Sequence, residues 1–110
     1  MIERVICSRD DCPNGNAFHK NSTILPLANG DLLAAWMANP PAGESARSHA
    51  QNVYGSRLPA GADEWTDPVL WVDVPGRAVS CPVLFCGPGD AIWLAVAQQY
   101  GNSIAAGRLF

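Results

Sequence analysis

The sequence predicts an all-β fold built from two copies of one sheet unit, and three observations predict it. Nine prolines and ten glycines cluster between short apolar segments, the punctuation of strands and turns. No segment sustains a helical period. Finally, "STILPLANGDLLAAWMA" from Ser22 aligns without a gap to "CPVLFCGPGDAIWLAVA" from Cys81, at an offset of 59 residues. In that alignment Leu25 meets Leu84, Gly30 meets Gly89, Asp31 meets Asp90 and Ala38 meets Ala97. Each copy reads as an apolar run, a Gly-Asp turn and a second apolar run.

Taken in order, the predicted strands are Ile2 to Cys7, Ser22 to Leu27, Leu32 to Ala38, Ala50 to Arg57, Val69 to Val74, Cys81 to Phe85, Ile92 to Ala97 and Ser103 to Leu109. Many are apolar on successive residues, as expected of strands covered on both faces. Leu32 to Ala38, "LLAAWMA", is the plainest case, and Gly30 and Asp31 are read as the turn before it, with Trp36 packing inside. The first copy holds four strands, beginning at Ser22, Leu32, Ala50 and Val69; the second holds three, and the strand from Ile2 to Cys7 is the candidate fourth. A four-stranded sheet with two apolar faces cannot hide both alone, so such units stack radially, typically four to eight in a ring. The expected architecture is therefore about two four-stranded antiparallel β-propeller blades per chain. Blade one covers about 18–75, and blade two covers about 78–110, closed by strand 2–7.

Composition narrows the functional classes. With 110 residues, 48% hydrophobic and 15% charged, the chain suits one small globular segment. A net charge of -3 without any Lys/Arg run argues against nucleic acid or an anionic membrane as partner. No apolar run approaches the roughly 18 residues of a spanning helix, and the acidic start "MIERVICSRDDC" is unlike a signal peptide, so the expected location is cytoplasmic. The four cysteines, Cys7, Cys12, Cys81 and Cys86, are not in CxxC spacing, and only two histidines accompany them. No metal site and no cofactor is expected, and the thiols are read as reduced and partly buried.

Three segments carry a resemblance. "HKNSTILPLANGDLLAAW", "EWTDPVLWVDVPG" and "CPVLFCGPGDAIWLA" resemble the first-blade pattern, the Trp-Ser-x-Pro-Val strand and the Asn-Pro-Val-Leu-Phe hairpin of the sialidase-like (BNR-repeat, Asp-box) β-propellers, N-terminal two-blade portion. The likeness spans roughly residues 18 to 97. It implies a propeller fold and a site near the ring axis, where a sialidase would place an arginine cluster, an Asp acid and a Tyr-Glu pair.

Departures from that pattern shape the functional reading. In the Asp-box position, "SRLPAGADEW", only Trp65 is in register; Ala60 and Ala62 stand where Asp and Gly are expected, so the turn must be rebuilt with Gly61 or Asp63. The loop "NPPAGESARSHA", which would carry the catalytic Asp, offers Glu44 instead. A Glu there could serve as the acid only if desolvated. His19 stands one residue further from the Ser-Thr pair than in the family, a shift that reverses its side of the strand unless a bulge absorbs it. A nucleophilic role for Cys81, with His19 as base across adjacent blades, is the weaker reading beside a small residue in a β core. Trp36, Trp71 and Trp93 lie in apolar runs and read as packing, whereas Tyr54 and Tyr100 adjoin glycines and polar residues and read as surface.

The expected function is a non-catalytic carbohydrate-binding or degenerate sialidase-like module that assembles with its own copies. Six blades in the family would make it a trimer. Its candidate ligand-binding residues are His19, Lys20, Asn21, Arg47, Tyr54 and Tyr100, with Glu44 as the catalytic candidate. The alternatives are an exo-glycosidase of sialidase type whose site is completed by oligomerisation, and a structural fragment without activity of its own.

Overall fold

The computed structural model describes residues 6, 19–38, 51–74, 78–100 and 103–109. Seven strands form two antiparallel sheets. The first contains β1 (His19–Pro26), β2 (Leu32–Ala38), β3 (Asn52–Leu58) and β4 (Val69–Val72) in the order β1-β2-β3-β4. The second contains β5 (Ala78–Cys86), β6 (Ile92–Tyr100) and β7 (Ser103–Leu109) in the order β5-β6-β7. The all-β expectation holds, with two predicted strands, β2 and β7, found at their expected bounds. The strand expected from Ile2 to Cys7 lies outside the described residues except for Ile6, which packs on the first sheet.

The two sheets stack face to face. Leu33, Ala35, Val53 and Val72 of the first sheet form one apolar layer with Val79, Leu84, Leu94 and Val96 of the second. Burying each aliphatic side chain of that layer contributes roughly 1.5–3 kcal/mol. The alternation along β2 explains why both its sides are covered: Leu33 and Ala35 face the second sheet, while Ala34, Trp36 and Ala38 join Tyr54 in a layer on the other side, capped by Ile6 and Trp65. β5 is an edge strand, and two of its amides are taken up by residues of β1 and of the segment leading into β3. Leu84 N donates to Thr23 Oγ1 at 3.2 Å and Val79 N donates to the Gln51 carbonyl at 2.8 Å. Each donor so occupied is one fewer to template stray pairing.

The internal repeat is real in register, although it is not the repeat the identities suggested. β1 pairs with β2 through Thr23↔Ala35, Leu25↔Leu33 and Pro26↔Leu32, and β5 pairs with β6 through Val83↔Ala95, Phe85↔Trp93 and Cys86↔Ile92. Subtracting members of these pairs (83 − 23, 95 − 35) gives an offset of 60, one more than the sequence alignment. Both ladders break at the same point. Asn21 and Ser22 together oppose Trp36, and Cys81 and Pro82 together oppose Val96. Asn21 has φ 52 and Cys81 has φ 51, so each bulge opens with a left-handed residue. Asn tolerates that conformation through local hydrogen bonding, and Cys has no such help.

A third irregularity sits between β3 and β4. Val53 pairs with Val72 and Tyr54 with Leu70, leaving Trp71 as the inserted residue. Its indole lies directly over Gly55, where a Cβ would overlap the ring atoms. Trp93 covers Gly87 in the same manner. Gly55 within β3 and Gly87 just past β5 are each a seat for an aromatic ring. Gly55→Ala is expected to unseat Trp71 and to cost about 1–3 kcal/mol, the usual penalty of overpacking. The midpoint of urea unfolding, followed by tryptophan emission, measures it.

Candidate functional site

Two places in the fold gather polar side chains, and they differ in chemistry. The first is the hairpin between β1 and β2. Gly30, at φ 93, permits the turn, and its amide donates to the Leu27 carbonyl at 3.0 Å while Leu27 N donates to the Asp31 carbonyl at 2.8 Å. Asp31 is not itself a turn residue in the sense expected. Its carboxylate reaches across to the segment after β3: Oδ2 accepts from Arg57 Nε at 2.6 Å and Oδ1 accepts from Ala60 N at 2.7 Å. Asn29 Oδ1 accepts from Asp31 N at 2.9 Å, which fixes the base of the carboxylate.

This arrangement shapes the turn after β3. Gly61, at φ 78, supplies the permissive backbone, and Ala62 N closes the turn on the Pro59 carbonyl at 3.0 Å. Trp65 packs toward Trp36 and Tyr54. The carboxylate that accepts the turn's backbone hydrogen bond comes from Asp31 on the neighbouring hairpin. Of the two residues expected to rebuild the turn, Gly61 has the required geometry.

The backbone donor Ala60 and then the Arg57 guanidinium hold the Asp31 carboxyl below its ordinary value of 3.8. A group so ionised near neutral pH cannot donate a proton to a leaving group. It acts as a structural anion. Asp90, its partner in the sequence alignment, ends an exposed one-turn segment, Pro88–Asp90, and has no carboxylate counterpart to the Asp31 clamp at offset 60, where Ala91 stands.

The second place is the start of β1 and β5, where the two bulges approach each other. Asn21 Nδ2 donates to Met37 Sδ at 3.1 Å and to Cys81 Sγ at 3.7 Å. Asn21 and Ser22 are exposed there, and Cys81 is exposed with an unbridged thiol, as is Cys86. The expectation of partly buried thiols is thus corrected for these two residues: the left-handed bulge turns Cys81 out of the core, and Cys86 is the last residue of β5. Beside it Ser80 is fully enclosed, and its Oγ finds no hydrogen-bond partner among the described residues.

The remaining candidates separate. His19 and Lys20 are the first residues of β1, opposite Ala38 and Met37, so with Asn21 they share one strand end. Glu44 and Arg47 lie outside the described residues, and Tyr100 closes β6 opposite Ser103. Tyr54 is placed differently from its surface expectation: it is 5% exposed, with its ring packed among Ala34, Trp36 and Ala38. Trp71 departs in the opposite direction, at 37% exposed. The bulge explains the reversal, since the inserted residue leaves the alternation of its strand and lies across the sheet instead of into it. Gly55 was the available signal, because an isolated glycine within a strand marks a close approach. Among the described residues no group of three or more His, Cys, Asp or Glu could hold a metal ion. No described helix is long and apolar enough to cross a membrane.

The sequence matches no model of a known protein family, and no curated protein matches it at a significant level.

The lowered carboxyl of Asp31 fixes the sign of a pH dependence. Its folded-state pKa lies below the unfolded value, so the clamp's contribution is full above about pH 4 and is lost as pH falls through the folded value. Asp31→Asn is expected to lower the melting temperature at pH 6, with the gap to the native chain closing toward pH 2. Thermal melts across that range, followed by circular dichroism, check both the sign and the window.

Proposed function

We propose that the two sheets are blades of a sialidase-like propeller and that the chain is a non-catalytic carbohydrate-binding module. The observation that carries the ligand reading is Trp71. One face of its indole is seated on Gly55 and the side chain keeps more than a third of its surface open. A rigid aromatic plane backed by glycine suits the apolar C–H face of a sugar ring, and it costs little conformational entropy to hold in place. Val69, exposed and paired with Gly55, extends the apolar platform, and the exposed Arg57 lies two residues further along β3 on the same side.

The blade reading draws support from the face-to-face stacking of the sheets and from the common register of their hairpins. The non-catalytic reading draws support from the loop "NPPAGESARSHA", which offers Glu44 where the sialidase pattern carries its Asp; the Asp31 carboxylate is committed to Arg57 and Ala60 and supplies no substitute acid. Polar groups at the strand end, Asn21 and Ser22, provide a second rim for hydroxyl contacts.

Glycan-array screening in parallel with a panel of fluorogenic sialosides tests this function. Binding without turnover is expected, and Trp71→Ala is expected to weaken that binding by about 10-fold or more, equivalent to roughly 1.4 kcal/mol. Full binding by the folded Trp71→Ala variant would remove the platform from the site, and turnover by the native chain would replace a lectin with an enzyme.

A further inference from the structure

The register of the two hairpins shows which side of each sheet is used in their mutual contact. The first sheet presents Leu25, Leu33 and Ala35 to the second. At the offset of 60, the residues equivalent to these are Phe85, Trp93 and Ala95, which lie on the opposite side of the second sheet from its buried Leu84, Leu94 and Val96. Conversely, Leu84, Leu94 and Val96 are equivalent to Ile24, Ala34 and Trp36, on the outer side of the first sheet. The sheets therefore stack head to tail: each uses a different side, and the two sides are complementary.

Head-to-tail contacts leave a complementary pair of outer sides, one at each end of the stack. On the second sheet that side exposes Val83 (53%) and Phe85 (37%). On the first sheet Ile6 and Trp65 already cover Trp36 and Tyr54, yet Ile24 on the β1 edge remains 57% exposed. Ile24 is the equivalent of Leu84, which is buried against the first sheet, and Val83 and Phe85 are the equivalents of Thr23 and Leu25, which stand opposite Leu84. Of the apolar contact made once within the chain, Val83 and Phe85 are left over at one end and Ile24 at the other.

We propose that a second copy of this chain occupies these faces, with Val83 and Phe85 of one copy seated against Ile24 of the next. The contact continues the interface that β1 to β4 make with β5 to β7, in the same direction. Because it is heterologous, it repeats until the rotation closes a ring. One difference from the internal contact is built in: Val83 stands where Thr23 does, so the copy-to-copy contact lacks the hydroxyl that receives the Leu84 amide and is apolar at that point. This inference is independent of the sugar reading, since Trp71 takes no part in it.

Two variants blocked at opposite ends test the polarity. Ile24→Lys disables one side and Val83→Lys with Phe85→Lys disables the other; all three positions are exposed, so circular dichroism should show the sheets retained. By light scattering at micromolar concentration the native chain is expected at a discrete multiple of its 11.7 kDa mass, and each variant alone at one chain. Mixed in equal amounts, the two variants are expected to form a dimer and nothing larger, because only one intact pair of faces remains. A monomeric native chain overturns the proposal and assigns the faces to a different polypeptide. An Ile24→Lys variant that keeps the native mass also overturns it, since only a contact of like with like survives that change. Should either lysine variant unfold, Ile24→Thr and Phe85→Ser are expected to weaken association at least several-fold, and unchanged association would overturn the proposal equally.

Discussion

The apolar layer between the two sheets is the constraint from which the other features follow. Neither sheet is large enough to be stable with both faces wet, and β2 in particular is apolar on both sides. Once Leu33, Ala35 and Val53 are committed to Val79, Leu84 and Val96, the outer layer of Ala34, Trp36 and Tyr54 must find other cover, which Ile6 and Trp65 provide. The small alanines of β2 matter here. Ala35, fully enclosed, lets the second sheet lie close without a large side chain to displace.

Polar groups are placed to serve that layer. The β5 amides of Val79 and Leu84 would be unpaired donors at a sheet edge, and they are satisfied by Gln51 and Thr23 on the opposing sheet. The Asp31 carboxylate joins the β1–β2 hairpin to the turn after β3. Ser56 Oγ contributes a parallel link by donating to the Thr66 carbonyl at 2.6 Å, and Thr66 Oγ1 accepts from Arg57 N at 2.9 Å. The long segment between β3 and β4 is thus tied at both its ends.

Much of the strand layout was legible because prolines and glycines mark its turns, and "LLAAWMA" announced a strand covered on both sides. Register was not legible, and for a specific reason. The shared Gly-Asp pair drew the two hairpins into alignment at 59 residues, but the pair does different work in each copy: Asp31 follows the turn and clamps Ala60, while Asp90 is itself a left-handed turn residue at φ 60. Backbone pairing places the copies one residue further apart. Tyr54 and Trp71 exchanged places for separate reasons: the glycine beside Tyr54 suggested surface although it seats the Trp71 ring, and the apolar run around Trp71 gave no sign that it is an inserted residue. At the strand end, the sequence reading brought His19, Lys20 and Asn21 to one edge, and β1 does begin there. The approach of Asn21 to Met37 and Cys81 depends on two bulges facing each other, which no local pattern encodes.

That the two hairpins share the same bulge at the same point bears on how the chain finds its fold. Their backbone ladders are interchangeable, so β1 could accept β6 as a partner with all its hydrogen bonds in place. What separates correct from crossed pairing is the side chain opposite each bulge, Trp36 in one ladder and Val96 in the other, and the short distance along the chain between true partners. A five-residue connection closes far sooner than one that spans both sheets. The repeat therefore relies on speed as well as packing to keep its strands in their own sheets, and chains crowded together during folding would have the best opportunity to exchange them.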